Sequence, residues 1–525
     1  MSLKVLDITN DDLDKVEKKR IIIEQMKKLV YNSYGQYSVD TLSRAIPRRE
    51  DSLKLSTRRI IWAVRKINKL TKSANVVGEV LGRLHPHGDS SVYGAMVNIA
   101  SSRANVPLIQ GKGNWGDYRN DLGAAAFRYT ECMAHSNLSY LIDDEITSRA
   151  GVMVPNYSGE YLEPYYLNTK VPLGLLNGNQ GIAVGKTVKV PSHNINEVID
   201  ASIGIIKNGY TMSAKGLAKI LKGPDHRLYD SIMLINKNDW IKILETGNGF
   251  VQSEARVTID ESGFTVDALP YDTKTKDMIN KIYGLDEKYS KRAGRKRGIV
   301  KKVTNMTNKN KFSIEVSFLN TGKKDQADNI DFVREFVHIS KTKIFYNFLW
   351  CEQLDGEEKS LSDGSTYQPN EISVVSVLVD FQKRRRDDKL QALGIKVKEL
   401  EEDLMCEDLK LLISSDSQKF FKLLSEAKNN QEAITRMVNE YKKPQAVCER
   451  VLLNSSFTVY INKQERILQT IEKIKQEITD TKNKIENIDN YLISELEELK
   501  SKIGSQRYSK IVEVIDAESI AIKIE

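Results

Sequence analysis

An arginine and a tyrosine stand side by side in "GAAAFRYTE", residues 123–131. A phenol is a weak nucleophile near neutral pH, because its pKa is about 10. A guanidinium beside it stabilises the phenolate, or the phosphate that the phenolate attacks. Tyr129 with Arg128 is therefore a candidate nucleophile, although most of the 22 tyrosines must serve packing or the surface. Just upstream, glycines at 111, 113 and 116 allow close backbone approach, and Ala124–Ala126 keep the surface low.

A second stretch, "KSANVVGEVLGRLHPHGDSSVYGAMVNIA", runs from Lys72 to Ala100. Asp89 stands at the N-cap position of a predicted helix in which Val92, Met96 and Ala100 share a face. Ser90 and Ser91 fill its first turn, with His87 nearby, and such a helix start suits a phosphate or a groove edge. The His85-Pro-His87 pair could instead ligate a metal, but no third ligand accompanies it.

A third stretch, "GNQGIAVGKT" from Gly178 to Thr187, ends as a phosphate-binding loop ends. The first glycine of that pattern would stand at Gln180 and instead stands at Gly181. Such a loop also opens a helix, whereas Thr187 leads into strand-like "VKV" and then Pro191, with a helix start only near Asn194. The competing readings are a nucleotide loop and a turn between strands.

These residues must be held by a large frame. A chain of 525 residues allows about three or four domains. Hydrophobic residues make up 40% and charged residues 29%, and no apolar run approaches the ~20 residues of a membrane span. The N-terminus is too charged for a secretory signal, so a cytoplasmic location is expected. Cys132, Cys351, Cys406 and Cys448 are far apart, which argues against structural zinc and a disulfide framework. The net charge of +8 is concentrated at 48–72, 291–302 and 383–386, and such clusters attract nucleic acid when they are not simply solvated faces.

Residues 12–46 read as helix with a break at "NSYGQYS". Short helices between glycine-rich loops follow to about 150, with room for a winged helix. From 155 to 345, runs such as "GFVQSEARVTID", "GFTVDAL" and "KFSIEVSFL" between turns read as α+β. Beyond 371, Val374, Leu378, Phe381, Leu390, Leu393, Val397, Leu400 and Leu404 share one helical stripe. Ile467, Ile471, Ile474, Ile478, Ile485, Ile488 and Leu492 follow heptad spacing, with Thr481 in the one gap. About 35 residues at 1.5 Å each predict a rod of roughly 50 Å, and the two helices predict an antiparallel coiled coil carrying a small knob.

The chain resembles the DNA breakage-and-rejoining subunit of type IIA topoisomerases, of the gyrase A and topoisomerase IV A kind. The likeness is carried by "RAIPRREDSLKLSTRRIIWAV" at 44–64, "KSANVVGEVLGRLHPHGDSSVY", "GNWG…AAAFRYTE" and "YLEPYYLNTKVPLGLLNGNQGIAVGKTVKVPSHNINEVI". It thins afterwards, through "GPDHRLYD", "ETGNGFVQSEAR", "LPY" and "FQKRRRDDK". The resemblance implies a multidomain α+β fold. Its parts are an N-terminal arm (1–30), a winged-helix DNA-cleavage domain (31–155) and an α/β tower domain (156–370). A coiled coil (371–410 and 461–503) follows, with a C-gate dimerisation knob (411–460) and a C-terminal tail (504–525).

It implies that Tyr129 attacks a DNA phosphodiester and becomes joined to the 5′ phosphate, with Arg128, Arg44 and His87 stabilising charge. His85, Lys54, Arg58, Arg59, Ser90, Lys186 and Lys189 would position double-stranded DNA, and Ile182 would be the wedge that enters a base step. Ser90 matches the helix serine that quinolone drugs contact, but the acidic partner four residues on is Gly94. Arg48, Glu50, Ser52 and Thr57 also depart from the family pattern. No metal site is expected in this chain. Mg2+ would be held mainly, and ATP hydrolysed, by a separate gyrase B-like ATPase/TOPRIM subunit, in an A2B2 assembly dimerised through the C-gate. This sequence stops short of the family's C-terminal DNA-wrapping domain, so relaxation and decatenation are expected, by a phage- or virus-like enzyme or by a piece of a longer protein. The competing reading is a non-catalytic DNA-architectural protein with a coiled-coil dimer arm.

Overall fold

A computed structural model describes residues 10–100, 103–117, 119–292, 298–308, 312–320, 322–353, 367–453 and 464–514. Residues 293–297 of one basic cluster, 454–463 of the expected knob and coil, and the ends of the arm and tail lie outside them. The chain is a mixed α/β protein with long helices. It divides into two compact units. The first takes its described residues up to Ile142, then Val152–Gln382 and from Glu498 onward; the second joins Asp143–Gly151 to Lys383–Glu497.

In the first unit, α1 (Asn10–Ala45) runs straight through "NSYGQYS", where a break was expected. Ser38 and Thr41 donate their hydroxyls to the carbonyls of Tyr34 and Tyr37 four residues back. Their side chains thus stay within the helix rather than capping a break. Helix α2 (Leu55–Ile67) buries Leu55, Ile60, Ile61 and Val64 on one face and ends at Asn68, a left-handed residue with φ 44°. Helix α3 (Ser73–Glu79) passes into a single π-helical turn, Val80–Leu84, that delivers His85. Helix α4 (Asp89–Asn98) starts one residue earlier than expected, so Gly88 is the cap and Asp89 accepts the Ser90 N–H instead. Strands β1 (Thr71–Lys72), β2 (Ile109–Lys112) and β3 (Glu131–Ala134) form an antiparallel sheet ordered β1-β3-β2.

A six-stranded sheet carries the rest of this frame. Its strands are β4 (Asn179–Ala183), β5 (Lys186–Val190), β6 (Ile232–Ile235), β7 (Asn248–Glu254), β8 (Thr342–Asn347) and β9 (Lys510–Glu513), ordered β9-β6-β7-β8-β5-β4. Only β9 pairs in parallel, with β6. The helix after β5 starts at Ile195, capped as expected by Asn194, whose side chain accepts from the N–H groups of Asn196 and Glu197. A second, four-stranded antiparallel sheet is built from Arg256–Ile259, Gly263–Ala268, Ile314–Phe318 and Val300–Asn305. Phe264, Phe318, Phe332 and Phe336 pack its core.

The second unit holds most of α5 (Val374–Ser415), with α6 (Gln464–Glu486) and α7 (Ile488–Ile503) beside it. Ion pairs Glu401–Lys482, Arg386–Asp489 and Arg385–Glu495 advance in opposite chain directions, so these segments run antiparallel. Thr481 is buried in line with Ile467 and Ile471, and Ile488, Leu492, Leu496 and Leu499 extend that face. The apolar stripe of α5 has a polar interval. Arg385 and Lys389 occupy it, buried, with Lys389 Nζ 2.9 Å from Asp143, 3.2 Å from Glu145 and 2.9 Å from Glu495. Part of the "KRRR" cluster thus faces inward rather than toward a polyanion. Helices Ser417–Ser425, Asn430–Tyr441 and Gln445–Leu453 close around Phe420, Ile434, Met437 and Cys448.

Candidate functional site

Tyr129 lies at the end of the loop that enters β3. Its N–H donates to Ala126 O at 2.8 Å, which closes a turn, and the ring is 66% exposed. The next residue, Thr130, is fully buried. Its hydroxyl lies 2.8 Å from Ser73 Oγ and 3.0 Å from the Tyr93 hydroxyl, and its carbonyl accepts the Ser73 N–H. Tyr93 in turn donates to Ala125 O. The loop is therefore tied down on both sides of Tyr129: Thr130 is buried, while Tyr129 in the preceding turn is exposed. The Arg128 guanidinium lies 4.8 Å from the Tyr129 ring centroid. A hydrogen bond from Arg128, together with its charge, holds the phenol pKa below the ordinary tyrosine value. Thr130, Tyr93 and Ser73 escaped the sequence reading; only the adjacency of Thr130 to Tyr129 pointed toward them.

A second group surrounds the histidines. Glu163 receives both arms of Arg59 at 2.6 Å, and both side chains are buried. Arg59 also reaches His85 Nδ1 at 2.9 Å. Arginine only donates, so Nδ1 is the acceptor and the His85 proton resides on Nε2. Burial, then the charge of Arg59, lowers the His85 pKa to about 3. The His87 ring stacks on His85 with centroids 4.1 Å apart, and burial, followed by nearby Arg44, lowers its pKa also. Both histidines are thus neutral at pH 7. Arg44 pairs with Asp40 at 2.9 Å on α1.

Arg58 and Arg59 require correction as phosphate counter-charges. Arg58 is fully buried with two of its nitrogens on Asp51, and Arg59 is taken up by Glu163 and His85. Both charges are thus paired with carboxylates inside the frame. Arg48 is likewise buried, 4.4 Å from the Tyr165 ring centroid. Ser90 is exposed at the start of α4. No hydrogen bond or ring contact among the described residues joins the Arg128–Tyr129 pair to the Arg44–His87 group.

The "GNQGIAVGKT" stretch is the β4–β5 hairpin, with Ala183 opposite Lys186 and a turn at Val184-Gly185. Gly185 takes φ 70°, a left-handed value that glycine adopts freely. At Gly181 a Cβ would strike the Ala45 carbonyl oxygen, so the hairpin sits directly on the end of α1. Thr187 lies within a strand rather than at a helix start, which removes the nucleotide-loop geometry. The Lys54 ammonium donates to Gln180 O at 2.9 Å and braces the hairpin from below. Lys186 is exposed and Lys189 half-buried, while Ile182 projects 73% exposed. Among the described residues no three His, Cys, Asp or Glu side chains gather as a metal site, and no helix is long and apolar enough to cross a membrane.

An exposed phenol beside a guanidinium suits nucleophilic attack on a phosphate ester. The family described as the DNA gyrase/topoisomerase IV A subunit matches residues 44–497. The topoisomerase 4 A subunit of Neisseria gonorrhoeae is 40% identical over 236 residues, which cover 44% of this chain and 30% of that protein. The corresponding subunit of Escherichia coli is 34% identical over 270 residues, 50% of this chain and 35% of that protein. The DNA gyrase A subunit of Campylobacter jejuni is 36% identical over 273 residues, 50% of this chain and 31% of that protein. The chain spans about a third of the length of the relatives it matches.

Proposed function

Because the chain belongs to the A-subunit family of DNA gyrase and topoisomerase IV, we propose that it is the DNA cleavage-and-religation subunit of a type IIA topoisomerase. The observation that carries this reading is Tyr129, exposed on an anchored loop with Arg128 against its ring. The Tyr129 oxygen attacks phosphorus and loses its proton to water. One P–O bond forms to the phenol as the bond to the 3′ oxygen breaks, and the departing 3′ oxygen takes up a proton. The tyrosine keeps the 5′ phosphate, so bond number is conserved and resealing is the same step reversed. Arg128 eases phenol ionisation and, with Arg44, meets charge developing on the phosphate. Neutral His87 adds a hydrogen-bond donor, with His85 stacked beneath it. Contacts of this kind contribute roughly 10²–10³ each in rate.

The family architecture supports reading 31–155 as the winged-helix domain, 156–370 as the tower, and the antiparallel helices as a coiled coil ending in a C-gate. Exposed Leu412, Phe421, Leu453 and Leu468 in that region favour a homodimer contact. On α1, Ile23, Met26, Val30, Tyr34 and Tyr37 form an exposed apolar stripe, which favours a docked B subunit supplying ATPase and Mg2+ chemistry. Ile182 is read as the wedge of a bent duplex, with Lys186 and Lys189 on its phosphates. The test combines the chain with a B subunit, Mg2+, ATP and supercoiled plasmid, followed by detergent. Wild type yields a protein–DNA adduct and relaxed plasmid. An adduct from Tyr129→Phe would overturn the assignment.

A further inference from the structure

The turn that carries Tyr129 is bridged by one buried side chain of α4. Tyr93 places its hydroxyl 2.8 Å from Ala125 O and 3.0 Å from Thr130 Oγ1. Those two partners bracket the turn closed by the Tyr129 N–H on Ala126 O, so one oxygen joins the chain before Arg128-Tyr129 to the chain just after it. The Tyr93 ring grips the same segment, 113–130, which links β2 to β3. Its centroid lies 5.7 Å from that of Trp115 and, edge on, 5.9 Å from that of Phe127. Trp115 is itself fixed. It is buried, its indole N–H donates to Lys112 O at 3.2 Å, and a Cβ at Gly111 would strike its ring. Burial raises the Tyr93 pKa, so this phenol stays protonated while exposed Tyr129, whose pKa Arg128 lowers, is the one that ionises first.

We propose that Tyr93 is a positioning residue for the cleavage step: its hydroxyl fixes both ends of the Tyr129 turn and so holds the attacking phenol oxygen in line with phosphorus. The inference rests on the reading of Tyr129 as the nucleophile and deepens it. Removing the hydroxyl leaves the ring, its packing and every charge in place. It releases Ala125 O and Thr130 Oγ1 and lets the turn shift against α4. A reacting atom misplaced by about 1 Å costs roughly 100-fold in rate. Attack and resealing cross the same barrier, so misplacement slows both and leaves the balance between them unchanged.

Quenched single-turnover cleavage by the chain with a B subunit, Mg2+ and a linear duplex tests this. In Tyr93→Phe the approach to the final adduct fraction is expected to slow about 10- to 100-fold. The fraction itself, and the Kd for the duplex, are expected to stay within about twofold of wild type. Thr130→Val should slow the approach in the same way, and Thr130→Ser, which restores the hydroxyl, should recover most of the rate. A wild-type rate in Tyr93→Phe overturns the proposal. A smaller adduct fraction formed at an unchanged rate overturns it as well, because that is the mark of a partly unfolded protein rather than a misplaced nucleophile. So does a raised Kd at an unchanged rate, or a loss in Thr130→Val that Thr130→Ser fails to recover. If wild type forms no Tyr129-linked DNA, the cleavage reading fails and carries this proposal with it. A cleaving wild type beside an unslowed Tyr93→Phe removes this proposal alone.

Discussion

Acid should unfold the first unit well before its carboxylates are neutralised. Burial lowers the pKa of His85 to about 3, of His193 to about 4 and of His226 to about 3. An unfolded histidine titrates near 6.5, so below that pH the unfolded chain binds up to three more protons than the native one. Stability from these groups is intact above pH 6.5 and is lost as pH falls toward the native values. Each proton is worth about 1.4 kcal/mol per pH unit, giving a slope of about 4 kcal/mol per unit for the three. Between pH 6.5 and 4.5 the loss reaches about 8 kcal/mol, comparable to the whole stability of a typical domain. Glu197, whose pKa burial raises, opposes this only in part. Urea titrations read by tryptophan fluorescence at half-unit pH steps would measure the slope. His226→Asn keeps an acceptor for the Leu228 N–H while removing one titrating group, so it should reduce the loss by about a third. A midpoint that is flat from pH 7 to 5, or a variant with the wild-type slope, would refute the reasoning.

Two further outcomes are expected. Because a hydrogen bond from Arg128 lowers the Tyr129 pKa, the adduct-forming rate should climb with pH as the phenol ionises, and Arg128→Gln should move that climb to higher pH; quenched single-turnover cleavage would show whether the profile moves. Lys389→Met removes the cation shared by Asp143, Glu145 and Glu495 and should destabilise the second unit by about 3–5 kcal/mol, measured by calorimetry, whereas a change under 1 kcal/mol would mean that the network contributes little.

How far the sequence could be read depended on how local each signal was. The β4–β5 hairpin and the Asn194 cap rest on residues close together in the chain, and their patterns were legible. The heptad isoleucines were legible because burial repeats with helical period. Arg58, Arg59 and Arg385 were misread as outward-facing because an arginine by default looks solvated. For two of them the carboxylate that turns them inward is remote: Glu163 lies 104 residues from Arg59, and Glu495 lies 110 from Arg385, whereas Arg58 is held by Asp51 only seven residues back. The anchor beneath Tyr129 was hidden for the same reason, since Ser73 and Thr130 are 57 residues apart and neither type signals the other. The continuity of α1 was misjudged because Ser and Gly suggest a break, while the hydroxyls found carbonyls within the helix.

The parallel pairing of β9 with β6 has a consequence for how the chain is made. Lys510 pairs with Ile232, and the approach to β9 is clasped by Arg507 on Glu197 at 2.9 Å. At a ribosomal pace of roughly 5–20 residues per second, β6 waits about 15–55 s for its outer neighbour to be synthesised. During that interval its edge is an open template for strands of other nascent chains. Expression at reduced temperature, or alongside a chaperone that shields strand edges, should therefore raise soluble yield more than any substitution near Tyr129.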